Sequence, residues 1–245
     1  MMDKNLESIK NNAIDLLYLE PVIDKEIPFI IHHPFFDANP VYYVNKDGTI
    51  EFIDITKEKD KFNQCLSSFE SNIKKAKDFE SILFKINKKY RLLFFYLSFD
   101  YLSKEKFNTY LKEVWTSSES PNKDINVKVS EVLKLFNKAD KSLLMNEDEL
   151  DIYNKLDNEV KVYRGTKNKD DFKAMSWTLD YDKAEWFANR FGTDGYILEA
   201  TINKNDIVAF FDVRGESEVV VDYNKLKNVT YELVKNIKLY WRLIV

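Results

Sequence analysis

Three short clusters in the second half of the chain carry residues able to do chemistry together: Tyr163-Arg164-Gly165, Ser176-Trp177-Thr178 and Glu216-Ser217-Glu218. Glu216 and Glu218 stand just ahead of Val219-Val220-Val221, and in extended chain they share a face. Two carboxylates so placed repel, which raises at least one pKa unless a cation lies between them. A carboxylate there can stabilise an oxocarbenium-like centre, hold a sugar hydroxyl or act as a general base. Period two puts Arg164 on the face of Val160 and Val162, where a guanidinium needs an anionic partner. Gly165 lets something approach the backbone closely. Ser176 and Thr178 share a strand face and can bind a ligand or orient a carboxylate. Each cluster also has a plainer reading: an arginine bridged to a nearby acid, ordinary strand hydroxyls, a charged turn.

Val160 to Asp222 holds four of the five glycines and three of the five arginines of the chain. Arginine grips anions with a fork of donors where lysine offers a point charge. Arg190 and Arg214 are candidates for a phosphate contact or for an exposed salt bridge. Other chemistry is poorly supported. His32-His33-Pro34 lacks the spacing and company of a metal site, so no metal is expected. Cys65 lies on an apolar helical stripe and reads as core. Neither a phosphate-binding Gly-rich loop nor a nucleophile elbow is present.

The elements that must position these residues are strands with one helix between them. Strands are expected at Val160–Tyr163, Ala174–Thr178, Tyr196–Ile202, Ile207–Phe211, Glu218–Asp222, Thr230–Val234 and Ile237–Val245, the last alternating cleanly. Tyr181, Ala184, Phe187, Ala188 and Phe191 form the stripe of the helix, with Asp180 as N-cap and Gly192 after its end. Short helices are expected about Ser130–Ala139 and Asn146–Leu156. Upstream, a helix over Asn5–Leu19 precedes a small β-meander through Phe29–Phe36, Val41–Val44 and Thr49–Ile55, with Asn45-Lys46-Asp47-Gly48 as hairpin turn. Lys57–Trp115 reads as helices, including one started by Ser103. Thr116–Asn126 resembles a linker, which divides the chain into residues 1–120 and 121–245.

The chain has 245 residues, 44% hydrophobic and 32% charged, which suits a folded α+β protein with a sizeable core. A formal net charge of −4 argues against non-specific grip on a phosphate backbone. One cysteine excludes an internal disulfide framework and fits a reducing compartment. With no apolar h-region near Met1 and no long apolar run, the expectation is a cytoplasmic chain without membrane partners.

Taken in order, Tyr163-Arg164-Gly165, Ser176-Trp177-Thr178 and Glu216-Ser217-Glu218 resemble the Arg, Ser-x-Ser/Thr and Glu-x-Glu signature of mono-ADP-ribosyltransferases of the R-S-E class. The helix after the serine strand and the apolar Ile207–Phe211 match that layout too, so the resemblance covers roughly Ser130 to Val245. It implies a split β-sandwich core clamping NAD as co-substrate, with no metal. Arg164 would hold the NAD phosphates or adjoining ribose, and backbone beside Gly165 would meet the nicotinamide amide. Ser176 would orient the catalytic Glu218, Thr178 would shape the strand, and Glu216 would position or deprotonate the acceptor. Tyr163, Phe187 and Phe211 are the aromatic candidates along the NAD site, with core packing as the plainer role. Trp177 is bulkier than usual at its position and is harmless only if it faces away from the cleft.

The resemblance implies transfer of ADP-ribose to a macromolecular acceptor, an arginine side chain favoured and protein preferred to nucleic acid, as in bacterial or phage effectors and toxins. Two other readings use the same residues. One is an NAD glycohydrolase with water as acceptor; the other is a catalytically silent module whose N-terminal region docks a partner or inhibitor.

Overall fold

The computed structural model describes residues 5–45, 47–118 and 120–235. It is a mixed α+β protein, 45% helix and 22% strand. Contacts divide it into two compact units, Met1–Ser118 and Glu119–Val245. The strand expected at Ile237–Val245 lies outside the described residues.

In the first unit, α1 (Leu6–Leu17) buries Ile9, Ala13, Leu16 and Leu17, and the Asn5 side chain caps it by accepting from the Ser8 amide. The strands β1 (Val22–Ile23), β2 (Ile31–His32), β3 (Val41–Val44) and β4 (Ile50–Ile53) follow. They make two separate two-stranded ladders, β1–β2 and β3–β4, in place of the expected meander. Pro34 and Pro40 interrupt the stretch between β2 and β3, and a proline cannot donate to a ladder. Helices α2 (Lys59–Lys74), α3 (Phe79–Leu83), α4 (Lys88–Ser98) and α5 (Lys104–Ser117) complete the unit. Aromatic rings fill its core: Phe79 stacks on Phe94 at 4.9 Å and tilts against Tyr110 at 4.8 Å.

The second unit opens with a 3-10 turn at Pro121–Lys123 and three helices, α6 (Val129–Lys138), α7 (Lys141–Leu144) and α8 (Glu147–Lys155), one more than the apolar spacing indicated. Then come β5 (Glu159–Thr166), β6 (Ser176–Thr178), α9 (Tyr181–Asn189), β7 (Gly195–Asn203), β8 (Ile207–Phe211), β9 (Glu218–Val221) and β10 (Lys227–Val234). These strands form a six-stranded antiparallel sheet in the order β10-β7-β5-β6-β9-β8. All five residues of β8 are buried, and α6, α7 and α8 pack on it, so this outer strand is covered.

The ladder is uneven. β5 and β7 are paired over eight positions, whereas β5 and β6 meet at one, Tyr163↔Thr178. The six strands thus make one sheet where a split sandwich was expected, and that sheet parts beside this single β5–β6 pair.

Helix α9 is seated by two glycines. A Cβ on Gly165 would lie 1.9 Å from the Ala184 carbonyl oxygen, and one on Gly195 would lie 2.1 Å from that of Ala188. Ala184 and Ala188, one turn apart and fully buried, present the complementary small face. What approaches the Gly165 backbone on its Cβ side is therefore this helix, not a ligand. The helix keeps the expected Asp180 cap, whose carboxylate accepts from the Asp182 and Lys183 amides.

Candidate active site

A cleft of about 240 Å³ opens where β5 and β6 diverge. It is lined by Tyr163, Arg164, Gly165, Ser176, Thr178, Phe187, Glu216 and Glu218, so all three clusters reach one site. Phe211 does not. It is 1% exposed, at the end of β8, with its ring tilted against Phe136. Its place in an all-buried strand gives it the plainer role, core packing, and not a place along the expected NAD site.

Glu218 opens β9 directly opposite Thr178, with Ser176 two residues further along the same face. Ser176 Oγ donates to Glu218 Oε1 at 2.5 Å, as a hydroxyl does to an ionised carboxylate. Trp177 pairs with Val219 on the opposite face, is 2% exposed, and donates its indole N–H to the Ala174 carbonyl. Its bulk is thereby kept away from the Ser176–Glu218 contact.

Arg164 is largely buried, its side chain 14% exposed. Its Nη1 donates to the Ser176 carbonyl at 2.7 Å; its Nε and Nη2 donate to the Asp171 carbonyl and carboxylate, both at 3.2 Å. Three of the five guanidinium N–H groups are thus engaged with the protein. Burial lowers the guanidinium pKa, and the nearby charges of Asp171 and Glu218 oppose that shift. The anionic partner demanded of Arg164 is Asp171, which also accepts from Thr166 Oγ1 at 3.1 Å and pairs with Lys123 at 3.0 Å. Burial pushes the Asp171 carboxyl up, but Arg164 and Lys123 outweigh it and hold the group below the ordinary aspartate value.

Glu216 does not sit on β9 with Glu218. Ser217 between them has φ +46°, so the chain is not extended there and the expected shared strand face is lost. The loop is nonetheless well tied. Thr178 Oγ1 donates to the Glu216 carbonyl at 2.7 Å, and the Leu179 amide donates to the Ser217 carbonyl at 3.1 Å. The Ser217 amide donates to Asp212 Oδ1 at 2.9 Å, and Glu149 accepts from the Asp212 amide at 3.3 Å. A serine held at positive φ stores strain that its surroundings must outweigh. Thr178 also accepts from the Asp180 amide, so its hydroxyl ties the loop to the helix cap.

At the other lip, Phe187 and Phe191 meet Arg190, whose guanidinium lies 5.3 and 4.7 Å from their ring centroids. This aromatic contact replaces the surface salt bridge weighed for Arg190. Tyr163 stands edge-on to Tyr181 at 5.4 Å and packs against Ala184 and Ala188. Elsewhere, burial pushes the Cys65 thiol up to about 11, far from a reactive thiolate. Among the described residues no group of three His, Cys, Asp or Glu could hold a metal ion, and no helix is long and apolar enough to cross a membrane.

Asp171, Thr166, Asn122 and Asp212 were not singled out from the sequence. Asp171 sits in a polar loop, Asn168 to Lys173, whose composition signals only solvated chain. Its one signal was indirect: a core-facing arginine requires an acid, and Asp170 and Asp171 are the first acids after it in sequence.

No family model matches this chain, and neither the curated proteins nor the solved structures yield a match.

Proposed function

We propose that residues 119–245 carry NAD-dependent mono-ADP-ribosyltransferase chemistry, moving ADP-ribose from NAD to an arginine side chain of a macromolecular acceptor and releasing nicotinamide. The observation that carries this reading is the 2.5 Å bond from Ser176 Oγ to Glu218 Oε1, beside Arg164, at a cleft where the sheet parts. In this reading the glycosidic C–N bond breaks with its electron pair leaving on the nicotinamide nitrogen, and positive charge develops on the ribose carbon. Glu218, fixed by Ser176, faces that charge preorganised, so it stabilises the charge without reorganising at the moment of reaction. Glu216, on the tied loop at the same cleft, positions the acceptor and takes its proton as the new bond forms.

The fit of the dinucleotide is partial and informative. The cleft volume is below the roughly 300–1,000 Å³ of sites that bury a drug-sized ligand. It suits the nicotinamide and its ribose, with the remainder of NAD along the open mouth toward Arg190. Since Arg164 is committed largely to Ser176 and Asp171, its part in this reading is to organise the serine strand and lend positive charge. Arg190, exposed beside Phe187 at the mouth, is the better placed phosphate ligand.

The test is nicotinamide release from NAD by the full chain, with and without cell lysate. Release that rises with lysate, falls by roughly 10³-fold in Glu218→Gln, and loses its lysate dependence in Glu216→Ala supports transfer. Release indifferent to lysate and to Glu216→Ala identifies water as the acceptor, hence a glycohydrolase. Absence of any release, with no rise in melting temperature at high NAD, defeats the enzyme reading in favour of a binding module.

A further inference from the structure

Buried backbone groups find partners almost without exception, and a strand that leaves its neighbour must find them outside the ladder. β6 is in that position. It pairs with β5 only at Tyr163↔Thr178, so the β5 backbone does not reach the peptide groups around Ser176. Two side chains take its place. Arg164 Nη1 donates to the Ser176 carbonyl at 2.7 Å. Asn122 Oδ1 accepts from the Met175 amide at 2.7 Å and from the Ser176 amide at 3.2 Å.

Asn122 comes from a segment built to hold it there. Pro121 starts its 3-10 turn, and the Lys123 amide closes that turn on the Ser120 carbonyl at 2.9 Å. Lys123 Nζ is anchored to Asp171 at 3.0 Å. Asp124 Oδ1 then accepts from the Asn126 and Val127 amides at 2.8 and 2.9 Å, turning the chain toward α6, and Val127 is buried. Ser120 to Lys123 also line the cleft itself. Composition alone makes this stretch a linker; its contacts make it a strap across one end of the site.

We infer that Asn122 is a positioning residue for the reaction: by fixing the Ser176 peptide from the side that β5 has abandoned, it sets the direction of Ser176 Oγ and so the orientation of Glu218. The inference rests on the reading of this cleft as the glycosyl-transfer site. It assigns Asn122 no contact with substrate. Loss of the amide acceptor strands two N–H groups at the base of the cleft and frees the Ser176 strand to shift, and a displacement of about 1 Å at a catalytic group costs up to about 10²-fold in rate.

The experiment uses the full chain with Asn122→Ala and Asn122→Asp. The aspartate keeps the Oδ1 acceptor. Expected are a kcat for nicotinamide release lowered roughly 10- to 100-fold in Asn122→Ala, a KM for NAD little changed, and recovery of most of kcat in Asn122→Asp. In parallel, hydrogen exchange is followed in a peptide spanning residues 174–178. The alanine variant is expected to exchange faster there by about tenfold, the equivalent of one hydrogen bond, with β7 unaffected. Unaltered exchange at 174–178 overturns the inference, whatever the activity. So does faster exchange with wild-type kcat, or a change confined to KM. If the wild type itself consumes no NAD, the reading of the cleft fails, and the exchange measurement then decides alone whether Asn122 holds Ser176.

Discussion

Glu218 has one carboxylate oxygen held by Ser176 and a buried guanidinium nearby, an arrangement that keeps it aimed. Removing the hydroxyl alone tests that aim. Ser176→Ala is expected to lower kcat by about 10- to 100-fold, with the KM for NAD and the melting temperature close to wild type, because the strand's backbone contacts remain. Steady-state nicotinamide release checks it, and an unchanged kcat would deny Ser176 its role. A second residue, His33, speaks to stability. It is 1% exposed, its Nε2 reaches the Leu17 carbonyl and its Nδ1 accepts from the Phe35 amide, so it is neutral when folded. Burial depresses its pKa from 6.5 to about 4. The unfolded chain therefore binds a proton at a higher pH than the folded one. The contribution is fully present above pH 6.5 and is lost as pH falls toward 4, up to roughly 3 kcal/mol at 1.36 kcal/mol per pKa unit. Urea unfolding at pH 7 and pH 5 should show a loss of about 2 kcal/mol that is absent in His33→Gln; equal losses in both would refute the assignment.

At the scale of elements, the site depends on how closely α9 is allowed to lie on β5 and β7. The obstacle to a Gly165 side chain is helix backbone, 1.9 Å away, which cannot swing aside as a flexible side chain would. Gly165→Ala is expected to cost about 3 kcal/mol, the upper range for overpacking, and to weaken NAD binding by displacing Phe187 and Arg190. Thermal unfolding checks this, and a wild-type melting temperature would mean the helix shifts freely. The same packing explains what could be read beforehand. The Ala184–Ala188 stripe, the Asp180 cap and the runs of β-branched residues in β7 and β9 have a local cause, so their pattern was legible. The Glu216–Glu218 geometry was not, because period two holds only in extended chain and Ser217 turns at φ +46°. Phe187 and Phe211 show a similar limit. Both are aromatic and both border the clusters, yet one lines the cleft and the other packs inside β8, a difference made by tertiary position alone.

In the molecule as a whole, a six-stranded sheet parts at one place, and side chains distant in sequence complete the parting. Arg164 and Asn122 replace ladder hydrogen bonds there, with Asp171 holding Arg164 in place, and the Asn122 contacts do not follow from linear spacing. The Arg164, Ser176 and Glu218 grouping was legible only through the ordered resemblance of the three motifs, since strand face alone left each residue a plainer reading. Asn122 was hidden by a linker composition. The central claim is that this opening transfers ADP-ribose, and its most direct test is mass spectrometry of lysate incubated with the full chain and NAD. The expected result is an ADP-ribose adduct on an arginine side chain of a macromolecule, absent when Glu218→Gln replaces the wild type. A lysate without any adduct, its NAD intact after prolonged incubation with the wild-type chain, would contradict it.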